Sequence, residues 1–106
     1  MSSSKTSEKE HLEFDEKVKT SEPPMYKVII HNDDYTPMDF VVYVLEEYFQ
    51  RTEQEAHDIM LMVHHKGSGV AGIYPKDIAE TKSMMVNQYS RENEHPLLTS
   101  VEREDK

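Results

Sequence analysis

A proline pair, Pro23-Pro24, divides this chain into a stretch with little to bury and a stretch that can fold. Before it, the only apolar side chains after Met1 are Leu12, Phe14 and Val18, set among six acids and four lysines. Such a segment cannot offset its own ordering entropy, so residues 1–24 are expected to form a disordered acidic extension. Adjacent prolines end it in a stiff, extended joint. The foldable core domain is then residues 25–101, and residues 102–106 are expected as a polar tail. One small domain follows, with a modest core.

Composition removes several classes of function. The 106 residues include no cysteine, which excludes disulfides, thiolate zinc sites and cysteine nucleophiles. Asp and Glu outnumber Lys and Arg by 21 to 12, for a net charge of −9. That balance argues against nucleic acid, whose phosphates are gripped by clustered Lys and Arg. No run approaches the roughly 20 apolar residues of a membrane span, and the first residues lack the apolar stretch of a secretory signal. A cytoplasmic protein with no membrane partner is expected.

Residues 25–31 read as a strand, and Asn32-Asp33-Asp34-Tyr35 as a polar turn. Thr36 is placed to cap a helix, with Pro37 at its first position and Asp39 as capping acid. That helix should reach Phe49, with Val41, Val44, Leu45, Tyr48 and Phe49 as its apolar stripe. Thr52 and Glu55 form a second capping box, and the following helix carries Ala56, Ile59, Met60 and Val63 on one face. It should stop at Lys66-Gly67. Val70 to Tyr74 is a short strand. A third helix begins at Pro75, turns Ile78, Met85, Val86 and Tyr89 inward, and breaks at His95-Pro96 before a last strand, 97–101. The order β-α-α-β-α-β predicts an α+β fold, a small three-stranded antiparallel sheet packed against three helices.

Asn32, Asp33 and Asp34 form the strongest polar cluster. Such residues favour a turn for purely local reasons, yet two acids beside a helix start are also a receptor for a cation. His64, in the basic last turn of the second helix, either complements the helix dipole or looks into a groove. Met38, Met60, Met62, Met84 and Met85 read mostly as core, with Met38 and Met60 nearest the polar cluster and suited to an adaptable pocket. Catalysis fits poorly. No serine lies in a nucleophile-elbow context, and Asp33 and Asp34 are adjacent, so they point apart. A metal site from His31, Asp33 and His64 has no spacing signature behind it, and neither metal nor cofactor is expected.

In four blocks, residues 26–38, Met60-Leu61-Met62-Val63-His64, Ala79-Glu80-Thr81-Lys82 and residues 92–97, the chain resembles the bacterial ClpS adaptor family. The likeness spans residues 25–101, and the Asn-Asp-Asp-x-Thr-Pro-Met run at 32–38 is its most specific part. The resemblance implies an adaptor without enzymatic activity. Members of the family bind proteins beginning with Leu, Phe, Tyr or Trp and deliver them to a ClpA-type AAA+ unfoldase working with the ClpP peptidase.

By the same resemblance, Asn32, Asp33 and His64 contact the substrate α-amino group, and Asp34 belongs to their block. Met38 is the gatekeeper, Val41, Met60, Val63 and Leu97 are the apolar walls, and Thr36 is at the rim. Asp77, Glu80 and Lys82 lie where the family docks on the N-terminal domain of the unfoldase. Asp77 stands where the family usually has Glu. Two rivals from other classes are an interaction module without N-terminal specificity and a metal-dependent hydrolase.

Overall fold

The computed structural model describes residues 23–105. The elements are β1 (Met25–His31), α1 (Met38–Phe49), α2 (Glu53–Lys66), β2 (Ser68–Pro75), α3 (Lys76–Glu92) and β3 (Leu98–Arg103). The β-α-α-β-α-β order and the three-stranded antiparallel sheet are as expected, with β1 in the centre in the order β2-β1-β3. The expected extension, up to residue 22, lies outside the described residues. No helix among the described residues is long and apolar enough to cross a membrane.

Strand alternation sets the core. Val28 and Ile30 of β1 are completely buried, whereas Ile29 between them is only partly so. Against them pack Val44, Leu45 and Phe49 of α1, Ala56 and Met60 of α2, and Val86 of α3. In β2 the register slips between Val28 and Ile29, which pair with Gly72 and Val70 and leave Ala71 as an extra residue. The bulged Ala71 offers its carbonyl to Arg51 Nε at 2.8 Å, which fastens the α1–α2 connection to the sheet. At Gly69 a Cβ would stand 2.9 Å from Val63 Cγ2, so glycine lets α2 lie close on β2.

Three expectations need correction. β3 continues past Val101 to Arg103, because Glu102 and Arg103 pair with Lys27 and Tyr26. The Glu104 N–H then donates to the Met25 carbonyl at 2.8 Å. Second, the inward face of α3 is Ala79, Ser83, Val86 and Ser90, while Ile78 and Met85 are 43% and 47% exposed. Small residues let α3 approach the sheet, and its serines are satisfied without water. Ser83 and Thr99 share a 2.6 Å hydroxyl bond, and Ser90 Oγ donates to the Val86 carbonyl at 2.8 Å. Third, of the methionines assigned mostly to the core, only Met60 is there; Met38, Met62, Met84 and Met85 are exposed. Valine, alanine, leucine and isoleucine fill the interior instead.

Candidate functional site

The end of β1 and the end of α2 are tied together by backbone. Gly67 adopts φ +95°, closes α2 and donates its N–H to the Val63 carbonyl at 2.9 Å. Its own carbonyl accepts the Asn32 N–H, also at 2.9 Å. Only glycine takes that left-handed turn without cost, so Gly67 sets Asn32 beside the last turn of α2, which carries His64.

Beyond Asn32 the chain folds around one carboxylate. Asp33 Oδ1 accepts the N–H groups of Tyr35 at 2.8 Å and Thr36 at 2.7 Å. Its Oδ2 accepts the Thr36 hydroxyl at 2.8 Å. Partial burial pushes the Asp33 carboxyl up, but these bonds from Thr36 and Tyr35, with the pull of His95, outweigh it and hold the group below the ordinary 3.8. A carboxylate has about four lone-pair sites. Three bonds into the loop therefore leave Asp33 a full negative charge but little free bonding capacity.

The expected helix cap at Thr36 is overturned by this arrangement. The N-cap residue of α1 is Pro37, with no side-chain cap. Its carbonyl accepts the N–H of Phe40 at 3.1 Å and of Val41 at 3.3 Å. The Thr36 hydroxyl lies one residue before the N-cap position and donates its proton back to the Asp33 carboxylate, a charge-assisted bond that fixes the loop and not the helix end.

A groove of about 400 Å³ opens beside this loop. Asn32, Asp33, Asp34 and Thr36 line its polar side, and His64 closes the α2 end. Val41, Met60 and Val63 make the apolar side and are themselves 7%, 4% and 3% exposed, so only their edges show. Met38, 46% exposed, stands at the mouth. The structure thus brings together, in one hollow, nine of the expected recognition residues.

Leu97 is not among them. It is buried in the core and does not line the groove. His31 is also elsewhere, with its ring nitrogen Nε2 2.7 Å from Ser100 Oγ. Among the described residues no three His, Asp or Glu side chains are grouped to hold a metal. On α3, Asp77 and Glu80 are exposed, but the Lys82 ammonium is engaged. Its Nζ donates to the Tyr48 carbonyl at 2.7 Å and lies 5.2 Å from the centre of the Tyr74 ring. Lys82 thereby braces the end of α1.

Two contributors were not singled out by sequence. Tyr35 lines the groove from an exposed position, and its polar-turn context hid it. His95, read only as a helix breaker, stacks edge-on against Phe40 at 4.5 Å and bears on the Asp33 charge. No local pattern connects residues so far apart in the chain.

Residues 21–100 match the family described as ATP-dependent Clp protease adaptor protein ClpS. The ATP-dependent Clp protease adapter protein ClpS of Shewanella pealeana is 54% identical over 99 residues, covering 93% of this chain and 97% of the relative. That of Shewanella loihica is 55% identical over 94 residues, covering 89% and 92%. Among solved structures, Agrobacterium tumefaciens ClpS2 bound to L-phenylalaninamide superposes with a TM-score of 0.75 at 39% identity. That match covers 77% of this chain and 99% of the other.

Proposed function

Since the chain belongs to the ClpS family of ATP-dependent Clp protease adaptors, we propose that its groove captures the first residue of proteins beginning with Leu, Phe, Tyr or Trp. As an adaptor it is not an enzyme. It hands such substrates to the ClpA-type unfoldase and ClpP in the cytoplasm, using no cofactor. The exposed acids Asp77 and Glu80 on α3 serve the unfoldase contact together with the half-buried Lys82, whose ammonium also ties α3 to the end of α1.

One observation carries this reading: a polar edge bearing the Asp33 charge adjoins an apolar wall of Val41, Met60 and Val63 in a single hollow. A free α-amino group, with a pKa of about 7.7–8.0, is mostly cationic at neutral pH and presents three N–H donors. Asn32 and His64 supply acceptors, while Asp33 supplies counter-charge with at most one lone pair or a bridging water. Internal peptide groups carry no such cation, so chain starts are selected. The first side chain then lies against the apolar wall, where full burial of Leu or Phe is worth about 1.5–3 kcal/mol. Met38 at the mouth narrows the entry and disfavours branching at Cβ. L-Phenylalaninamide, bound by the Agrobacterium protein, has both required parts, a free amine and an aromatic side chain.

Fluorescence anisotropy with two labelled peptides tests the proposal. One begins with free Leu and the other is its N-acetylated twin. The free form alone should bind. Equal binding of both would identify a general peptide groove and remove Asn32, Asp33 and His64 from their roles.

A further inference from the structure

The groove carries an oxidisable atom at its entrance. Met38 opens α1 and is 46% exposed, whereas Met60, the other methionine of the groove, is 4% exposed. Met38 also borders a second, more apolar hollow of about 350 Å³, whose other sides include Val42, Tyr43, His57 and the buried Met60, so exposure and not position alone sets Met38 apart. It is thus a partition with two accessible flanks, and an oxidant in solvent reaches it from either side. Met62, Met84 and Met85 are at least as exposed but lie off the groove.

We propose that Met38 is a modification site, converted by hydrogen peroxide to methionine sulfoxide, and that the conversion weakens capture of apolar first residues. The inference rests on the N-terminal recognition reading above. A sulfur lone pair attacks one peroxide oxygen and the O–O bond breaks as the S–O bond forms. Sulfur is oxidised by two electrons. The second oxygen departs as water once the proton of the transferred oxygen has moved to it. The product is polar and chiral, and methionine sulfoxide reductases reverse it. A sulfoxide oxygen at an apolar entrance must lose its water when a Leu or Phe side chain enters, and that side chain offers it no donor. The same exposure that admits substrate past Met38 admits the oxidant, so buried Met60 should be spared.

The test uses the full chain carrying Met62→Leu, Met84→Leu and Met85→Leu, with the parent chain treated in parallel. Before oxidation, free and N-acetylated Leu peptides are compared. Failure there overturns N-terminal recognition itself and is read separately. After graded peroxide treatment, sulfoxides are located by peptide mass mapping and the free peptide is titrated again. Affinity should fall about tenfold, in proportion to Met38 sulfoxide, with Met60 reduced, and sulfoxide reductases should restore it. Full conversion of Met38 with unchanged affinity would overturn the proposal. So would a loss that follows Met60, or peroxide resistance of Met38 while Met62 and Met84 of the parent oxidise.

Discussion

Thr36 and Thr52 each stand three residues before an acid, at the head of a helix, and the two heads are built differently. At α2 the pattern closes on itself. Thr52 Oγ1 accepts the Glu55 N–H at 3.1 Å, and Glu55 Oε1 accepts the Thr52 N–H at 3.0 Å. The Thr52 N–H, followed by the Thr52 side chain, holds the Glu55 carboxyl below its ordinary 4.5. At α1 the threonine turns away from the helix to Asp33, and Pro37 occupies the N-cap position. Local pattern decides at a solvent-facing turn. It yields where a nearby carboxylate must be held in place beside a groove.

The largest effect should come from the centre of the unusual head. Asp33→Ala removes the counter-charge and both oxygens that accept the loop's three hydrogen bonds, and binding of a free Leu peptide should fall by about 100-fold or more. Asp33→Asn separates the two losses. Its amide oxygen still accepts the Tyr35 and Thr36 N–H groups, so the fold should melt like the parent while most of the binding disappears. Parent-like affinity in Asp33→Asn would show that the loop, not the charge, recognises the substrate. Thr36→Ala comes next. It deletes one hydrogen bond to a charged group, and affinity should drop about tenfold. Helical circular dichroism should hold, because Thr36 caps nothing. A loss of helix signal would return Thr36 to the capping role.

This contrast also marks what a sequence can disclose. The capping box at Thr52, the stop at Gly67 and the stripe of α1 depend on neighbours within a turn or two, and all were legible. The inward face of α3 was not. Choosing the largest apolar side chains there favours Ile78 and Met85, whereas close packing on the sheet is achieved by Ala79, Ser83 and Ser90. Asn32, Asp33, Asp34, His64, Met38 and Met60 stood out by residue type, but their union in one hollow, and the parts assigned to Thr36, Val41 and Val63, were readable only through the family's motif blocks, since nothing in spacing alone brings Asn32 to His64. The Gly67–Asn32 bond does that in three dimensions. Leu97 and Lys82 show the reverse case. Their motif positions suggest a pocket wall and a docking contact, and the structure adds what the motif does not tell: Leu97 is packed in the same core cluster as Val41, Met60 and Val63, and the half-buried Lys82 is tied to the Tyr48 carbonyl.

Acid sharpens the comparison without any substitution. Both Asp33 and Glu55 have carboxyls held below their ordinary values of 3.8 and 4.5. A depressed carboxyl stabilises the fold fully above its unfolded value and ceases to as pH falls through its lower folded value. The Tyr35 and Thr36 amide resonances should therefore move together with a midpoint below 3.8, and the Thr52 amide separately with a midpoint below 4.5. Joint movement of all three would mean a single global unfolding and not two local events.

The smallest effect belongs to the ordinary head. Thr52→Ala removes the acceptor for the Glu55 N–H, a loss of about 1 kcal/mol in stability. For a domain of this size that lowers the melting temperature by about 4–8 °C. Affinity for a free Leu peptide should not change, because Thr52 lies outside the groove. The pair of variants, one at each threonine, then separates binding from stability: Thr36→Ala acts chiefly on affinity, Thr52→Ala on melting. If Thr52→Ala weakened binding as much as Thr36→Ala, the α2 terminus would be coupled to the groove through Met60 and Val63, and the two helix heads could not be treated as independent.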